Sequence, residues 1–346
     1  MKRSKINSTQ IAELAGVSRS TVSRVINNYP SVPPETREKV MKVIKEYNYV
    51  PDMSAQVLAG KNMRNIGLFI IDKGSVSNDP TSNKLITSVI EEASLHDYYI
   101  LTHIIRNSKD PDSVDRVKAV FYQNRIDAGI FMGADNHEPF IEELIAEGFI
   151  IGIVDQDLPG RDEPNRIVYS FDNENGAIQA VNYLVTLNHR NIGIINGDLK
   201  RHAGSARFEG YLKAMKHLCL PVRKEWILQG DFNSDSGYCS MKNFLKTNAA
   251  LPTAFFSAND SIAFGAIRAL NEKGIKIPED VSIIGIDDHA LSAFFHPPLT
   301  TFKVDFRGMM QHLTKDVIKT IEEPNKKSIK MSAGNELIIR ESCRSL

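Results

Sequence analysis

From Arg64 onward the chain alternates short apolar runs with amphipathic stretches, and this limits its fold more than any other feature of its 346 residues. The runs are Ile66 to Ile71, Ile100 to Ile105, Ala128 to Met132, Ile150 to Val154, Ile192 to Asn196, Ala254 to Ser257 and Val281 to Ile286. Brief, continuous apolar segments suit parallel strands covered on both faces. Alternating with amphipathic segments, they predict an α/β fold with a doubly wound sheet. Arg64-Asn65-Ile66-Gly67 and Arg190-Asn191-Ile192-Gly193 open two such stretches with the same four residues, in agreement with two similar lobes.

Sheets of this kind hold ligands beyond the carboxyl ends of their strands. Asp287 and Asp288 follow Ile286, Asn259 and Asp260 follow Phe256-Ser257, Asp155 follows Val154, and Arg207 lies past the strand near Ile194. Singly, each could equally cap a helix or close a turn. Together, a carboxylate, an amide and a guanidinium from different loops can bracket vicinal hydroxyls without leaving their own polarity unpaired.

The first 60 residues differ in kind. Residues 8–16 read as a short helix with Asn7 or Ser8 as N-cap and Ile11, Leu14 and Ala15 on one face. Gly16 ends it, Val17 plugs the turn, and Ser18 caps a second helix reaching about Ile26, with Val22 and Val25 inward. Ala12, Gly16 and Val22 stand where two steeply crossing helices need a small contact, a residue tolerant of positive φ and an apolar anchor. A third helix starts near Pro34 and packs through Val40, Val43, Ile44 and Tyr47. This is a helix-turn-helix pattern, and such a motif puts its second helix in the major groove of DNA. Arg19, Ser20, Thr21 and Arg24 are then the expected base contacts, the arginines suited to guanine. Asn7, Ser18, Ser23, Asn27, Thr36 and Arg37 are the expected backbone contacts.

Residues 51–61 are too short to hold a helix alone and are expected to order only against a partner. Ala55 and Ala59 permit close approach there, and Leu58 is placed to wedge a minor-groove base step.

Charge supports this division. The formal net charge is zero, yet residues 1–61 carry ten Lys/Arg against five Asp/Glu, so a +5 head precedes a −5 body. No apolar stretch is long enough to span a membrane, and polar Ser4 to Gln10 stand where a signal peptide would be apolar, so a cytoplasmic location is expected. Cys219, Cys239 and Cys343 lack metal or disulfide spacing and read as partly buried free thiols; no metal or cofactor is expected. An enzyme would need a phosphate loop, a nucleophile elbow or a His-Glu-x-x-His motif, and none is present. A transport receptor would not carry the basic head.

The segments IAELAGVSRSTVSRVINN, VPPETREKVMKVIKEYNYVPDMSAQVLAGK, VYSFDNENGAIQAVNYLVTLNHRNIGIINGD, SARFEGYLKAM, FFSANDSIAFGAIRALNEKGIKIPEDVSIIGIDD, PPLTTFKVDF and LIIRES resemble, in order, the lactose-repressor/galactose-repressor (LacI/GalR) family of bacterial regulators. The resemblance implies an all-α helix-turn-helix head over residues 1–50 and a hinge helix over 51–61. It implies a two-lobed core like periplasmic sugar-binding proteins, with lobes of about 62–166 plus 297–328 and about 167–296 plus 329–346. It further implies a homodimer on a pseudo-palindromic double-stranded operator, two hinge helices meeting at Leu58, and repression controlled by a small effector, a sugar or sugar derivative. Arg207, Asn259 and Asp287 would bind that effector, with Asp155 from the other lobe and Phe232 and Phe306 as apolar walls. Four residues after Ser342 are too few for a tetramerising coiled coil, so a dimer is expected. Three features depart from the family pattern: Pro33 replaces a helix-capping serine, Asn7 to Thr9 replace a threonine-led start, and the loop from Asp72 to Pro80 has no aromatic residue.

Overall fold

The computed structural model describes residues 6–50, 62–72, 76–78, 80–247, 249–324 and 327–346. It divides into two units, Met1–Met63 and Arg64–Leu346. The expected hinge over 51–61, with Ala55, Leu58 and Ala59, lies outside the described residues.

The head contains α1 (Ser8–Ala15), α2 (Arg19–Ile26) and α3 (Pro34–Glu46). Asn7 starts α1 with a capping box: its Oδ1 accepts from the Thr9 and Gln10 amides, and its own amide donates to Gln10 Oε1. Gly16 stops the helix at φ +61°, and Ser18 Oγ caps α2 by accepting from Thr21 N at 3.1 Å. Pro33 gives α3 no side-chain cap, and Pro34 fills its first turn. Ile11, Ala12, Ala15, Val22, Val25, Val32 and Val40 form the core.

Two residues expected inside are outside. Leu14 is 49% exposed because the two turns of α1 bury only the Ile11, Ala12 and Ala15 stripe. Tyr47 is 46% exposed because it lies past the end of α3, and Tyr49 packs back in its place.

The second unit holds two six-stranded sheets. The first contains β1 (Asn65–Ile71), β2 (Tyr99–Ile105), β3 (Ala128–Met132), β4 (Ile150–Val154), β5 (Arg166–Phe171) and β11 (Ile329–Ala333), in the order β11-β5-β4-β3-β1-β2. The second contains β6 (Ile192–Asn196), β7 (Ile227–Gln229), β8 (Ala254–Ser257), β9 (Ser282–Asp287), β10 (Thr300–Val304) and β12 (Asn335–Ile338), in the order β12-β10-β9-β8-β6-β7. Every pairing is parallel except β10 with β12. Without β11 and β12 the two orders are identical, so the lobes repeat one doubly wound design. Helices α4 (Pro80–Leu95), α5 (Pro111–Tyr122) and α6 (Pro139–Ala146) serve the first sheet. Helices α7 (Asn173–Thr186), α8 (His202–His217), α9 (Ser234–Phe244) and α10 (Asp260–Glu272) serve the second. Helix α11 (Phe306–Glu322) returns to pack on α4, β4 and β5.

The repeated Arg-Asn-Ile-Gly does the same work in each lobe. The Asn65 and Asn191 carbonyls accept from Asp127 N and Thr253 N, which lead into β3 and β8. A Cβ on Gly67 would stand 2.5 Å from the Phe69 ring, and one on Gly193 would stand 2.4 Å from the Phe255 ring, so a side chain larger than hydrogen meets an aromatic at either place.

The chain passes between lobes at Asp172, Asp305 and Gly334. Each crossing falls later than the sequence reading placed it: Arg166–Phe171 and Ile329–Ala333 pair within the first sheet, and Thr300–Val304 within the second. Backbone register decides these memberships, and apolar periodicity does not carry it. Strand β2, expected to be buried, is an edge strand exposing Tyr99, Leu101 and Ile104.

Candidate functional site

Each unit carries one candidate site. In the head, Arg19, Ser20, Ser23 and Arg24 are exposed on α2, with Thr21 half-buried. Local bonds pre-set part of this face. Ser18 Oγ lies 2.7 Å from Ser20 Oγ and 2.8 Å from Thr21 Oγ1, and Arg19 Nε donates to Ser8 Oγ at 3.1 Å. Three expected backbone contacts have structural duties as well. Asn7 is the α1 cap, and Asn27 ends α2 with its amide toward Ser23 Oγ. Arg37 clamps the turn before α3, donating to Asn28 Oδ1 and the Tyr29 carbonyl, both at 2.6 Å. Thr36 is half-buried in the first turn of α3.

In the core, the carboxyl ends of the strands bring Asp155, Arg207 and Asp287 into one chain of hydrogen bonds that ends in an ion pair. Arg207, on α8 and 3% exposed, donates from Nε to Asn173 Oδ1 at 2.9 Å and from Nη1 to the Ala258 carbonyl, and its Nη2 lies 3.8 Å from Asp287 Oδ1. Asn173 Nδ2 donates in turn to Asp155 Oδ1 at 2.7 Å. Asp155 ends β4 of the first lobe and Asn173 begins α7 of the second, so this chain joins the lobes. Asp155 (φ +64°), Phe232 (φ +54°) and Asp287 (φ +127°) all sit in backbone conformations that L residues rarely adopt. Such strain collects where side chains must be aimed at a ligand.

Asn259 and Phe306 also have structural duties. Asn259 Oδ1 caps α10 by accepting from Ile262 N at 2.9 Å, and its Nδ2 donates to the Phe232 carbonyl at 3.1 Å, so the amide places the Phe232 loop. Phe306 is buried, edge-on to Phe171 with centroids 5.1 Å apart. Phe232 covers Gly197, whose Cβ would fall within 2.1 Å of the ring.

The sequence reading missed three residues. Asn173 is the link just described; in sequence it is only the first residue of a helix two positions past Phe171. Asn136 makes a second bridge between lobes: its amide N donates to the Lys200 carbonyl at 2.7 Å, and its side chain exchanges 2.9 Å bonds with the Asp157 backbone. Arg201 lies with its guanidinium 5.8 Å from the Phe232 centroid. A cavity of about 250 Å³ beside the Asn136 bridge is lined by Gln156, Ser170, Phe171, His202 and Ser332 among others, and by none of the six predicted effector residues.

Asp260, next to Asn259, is fully buried and accepts from Ser292 Oγ, Thr301 Oγ1 and His289 N. Burial pushes its pKa up to about 7 against the pull of those donors. Asp288 is paired with Arg340 at 2.6 Å. Among the described residues no group of three or more His, Cys, Asp or Glu could hold a metal, and no helix is long and apolar enough to cross a membrane. Cys219 and Cys239 are exposed rather than partly buried.

Comparison with known proteins follows the same division. Residues 9–52 match the model of bacterial regulatory proteins of the lacI family, and residues 181–343 match a periplasmic binding protein-like domain. The chain is 33% identical over 339 residues to the HTH-type transcriptional repressor PurR of Haemophilus influenzae (strain PittEE), covering 97% of this chain and 98% of that one. It is 32% identical to the probable HTH-type transcriptional repressor ExuR of Bacillus subtilis (strain 168), with the same coverage. Among solved structures, the Lac repressor dimer bound to operator and the anti-inducer ONPF superimposes with a TM-score of 0.82 at 26% identity, covering 98% of this chain and 99% of that one. A complex of the regulator CelR with cellobiose superimposes with a TM-score of 0.75 at 25% identity, covering 97% and 99%. The chain therefore belongs to the lacI family of bacterial regulatory proteins and is a DNA-binding transcriptional repressor with a small-molecule effector, not an enzyme.

Proposed function

We propose that this repressor works in the cytoplasm as a homodimer on a pseudo-palindromic operator and answers to a sugar or sugar derivative bound between the core lobes. The observation that carries the effector site is the Asp155–Asn173–Arg207–Asp287 chain. It gathers hydroxyl-binding groups from both lobes at the strand ends, where a ligand's presence alters the lobe angle. That CelR, a similar regulator, is found in complex with cellobiose supports a carbohydrate effector.

Exposed apolar residues in both lobes support the dimer. In the first lobe, Ile90 and Leu95 are exposed on α4 and Tyr99, Leu101 and Ile104 on the two faces of edge strand β2; in the second, Leu291 and Phe294 are exposed beside a depression lined by Phe264 and Phe295. Exposed apolar groups on this scale mark an interface.

Arg19, Ser20, Thr21 and Arg24 read bases in this proposal. Asn7, Ser18, Ser23, Asn27, Thr36 and Arg37 hold the backbone, and Leu58, outside the described residues, wedges the central step. Operator affinity measured by gel shift should fall roughly 10³-fold or more between 50 and 200 mM salt, as expected for six or more phosphate contacts. Arg24→Ala should cost about 1–3 kcal/mol on the preferred operator and flatten base preference in a selection from random DNA. A shallow salt dependence together with an unchanged consensus would remove the head from the DNA. Running the same gel shifts with a panel of sugars tests the effector half, and indifference of operator affinity to every sugar would overturn it.

A further inference from the structure

The cations at the effector site are in unequal states. Every donor group of Arg207 already faces a protein acceptor: Asn173 at Nε, the Ala258 carbonyl at Nη1 and Asp287 at Nη2. Asp155 is likewise held by Asn173. Arg201 is half-buried and six residues before Arg207; its side chain has no hydrogen-bond or ion-pair partner among the described residues, and its guanidinium rests over the Phe232 ring.

Its position is specific. Arg201 leaves the loop between β6 and α8 of the second lobe and reaches across to the first, where its Nη2 lies 3.8 Å from the point a Cβ on Gly133 would occupy. Gly133 follows β3, beside the β1 end, and the strand order reverses between those two strands. Ligands of doubly wound sheets sit at that switch point. A planar, permanently charged fork stacked on an aromatic and left without an acceptor at the mouth of a binding cleft matches two oxygens of a ligand anion.

We propose that the effector is an acidic sugar derivative, a sugar carboxylate or a sugar phosphate, whose charged group is held by Arg201 while its hydroxyls meet Asp155, Arg207 and Asp287. This rests on the reading above that a sugar derivative binds between the lobes, and it adds the ligand's charge.

The test is isothermal titration of the full-length protein with matched ligands: glucose, galactose, glucuronate, galacturonate and glucose 6-phosphate. Wild type, Arg201→Gln and Arg201→Lys are compared, with thermal melts of each unliganded variant. Because the Arg201 side chain makes no hydrogen bond or ion pair with the described residues, and only rests over Phe232, the unliganded melting temperature should move little. At least one acid should bind wild type better than its neutral parent. Arg201→Gln should weaken that acid roughly 10- to 100-fold, the loss of a charge-assisted pair, and Arg201→Lys should recover part of it. The carboxylate and phosphate arms identify which anion is meant. Preferred binding of a neutral sugar, or an acid whose affinity survives Arg201→Gln within twofold, overturns the inference and leaves the sugar reading standing. Silence from every ligand removes both.

Discussion

Replacing Arg207 with alanine should destabilise the core by about 3–5 kcal/mol, the range for removing one partner of a buried charge pair, and should leave operator binding insensitive to effector. The side chain is 3% exposed and satisfies three groups in different segments, so truncation strips the countercharge from Asp287 and the donors from Asn173 Oδ1 and the Ala258 carbonyl. Water entering the void repairs only part of this, because the acceptors lie in different directions. Lysine preserves charge but not the fork, so Arg207→Lys should fall between wild type and alanine. Trp226 is the sole tryptophan and is buried in the second lobe, so urea unfolding followed by its fluorescence reports on the lobe that holds Arg207. A loss below 1 kcal/mol would mean the guanidinium is not the keystone of this contact. Retention of the effector response by a folded Arg207→Ala protein would take the residue out of the site.

The two halves of that prediction were unequally visible in sequence. Arg207, Asp155 and Asp287 stand out because each is a charged residue past an apolar run, where a doubly wound sheet opens. Asn173 does the joining but looks like an ordinary helix start after Phe171. Its partners lie 18 residues upstream and 34 downstream in separate lobes, and no local pattern records that. The left-handed backbone at Asp155 and Asp287 is equally silent, since Asp tolerates it without the glycine that would advertise it. Asn259 carries a second legible signal: asparagine before a helix is a cap, and capping is what its Oδ1 does.

The strands divide in a similar way. Strands β1, β3, β4, β6, β8 and β9 read correctly because each is covered on both faces and so is apolar without a break. Strand β5 carries Arg166 and Ser170, β10 carries Thr300, Thr301 and Lys303, and β11 carries Lys330 and Ser332, which breaks the pattern. Buried Arg166 persists in β5 only because Glu142, Glu163 and Gln156 all accept from it, a network built from distant segments. Those polar-laced strands are also the ones beside the crossings, so the segments hardest to read locally are the ones that set which lobe each piece of chain joins.

Asp260 should give the core a pH dependence that its asparagine variant lacks. Its carboxylate is fully buried, and burial is the largest influence on it, raising the pKa to about 7; the Asp288 carboxylate adds to the rise, while donation from Ser292, Thr301 and His289 opposes it. In the unfolded chain the group titrates near about 4. Between these values the folded state keeps a proton that the unfolded state has released. Stability therefore falls as pH rises through that window, with the full penalty present above about pH 7 and none below about pH 4. That penalty is on the order of 4 kcal/mol. Asp260→Asn keeps an oxygen for His289 N and Ser292 Oγ and can donate its amide to Thr301 Oγ1, so the network survives without a charge to bury. The urea midpoint of wild type should drop from pH 6 to pH 8 more steeply than that of Asp260→Asn, and the variant should be the more stable protein at pH 8. Equal slopes would show that the three donors already offset the charge. Asp260→Ala, which leaves all three donors without an acceptor, should lose about 3 kcal/mol at pH 6 and less at pH 8, where wild type already carries the charge penalty. The loop tied down by Asp260 begins at Asp287 and Asp288 and runs into Leu291 and Phe294, so its protonation bears on a segment that holds both a proposed effector residue and exposed apolar side chains.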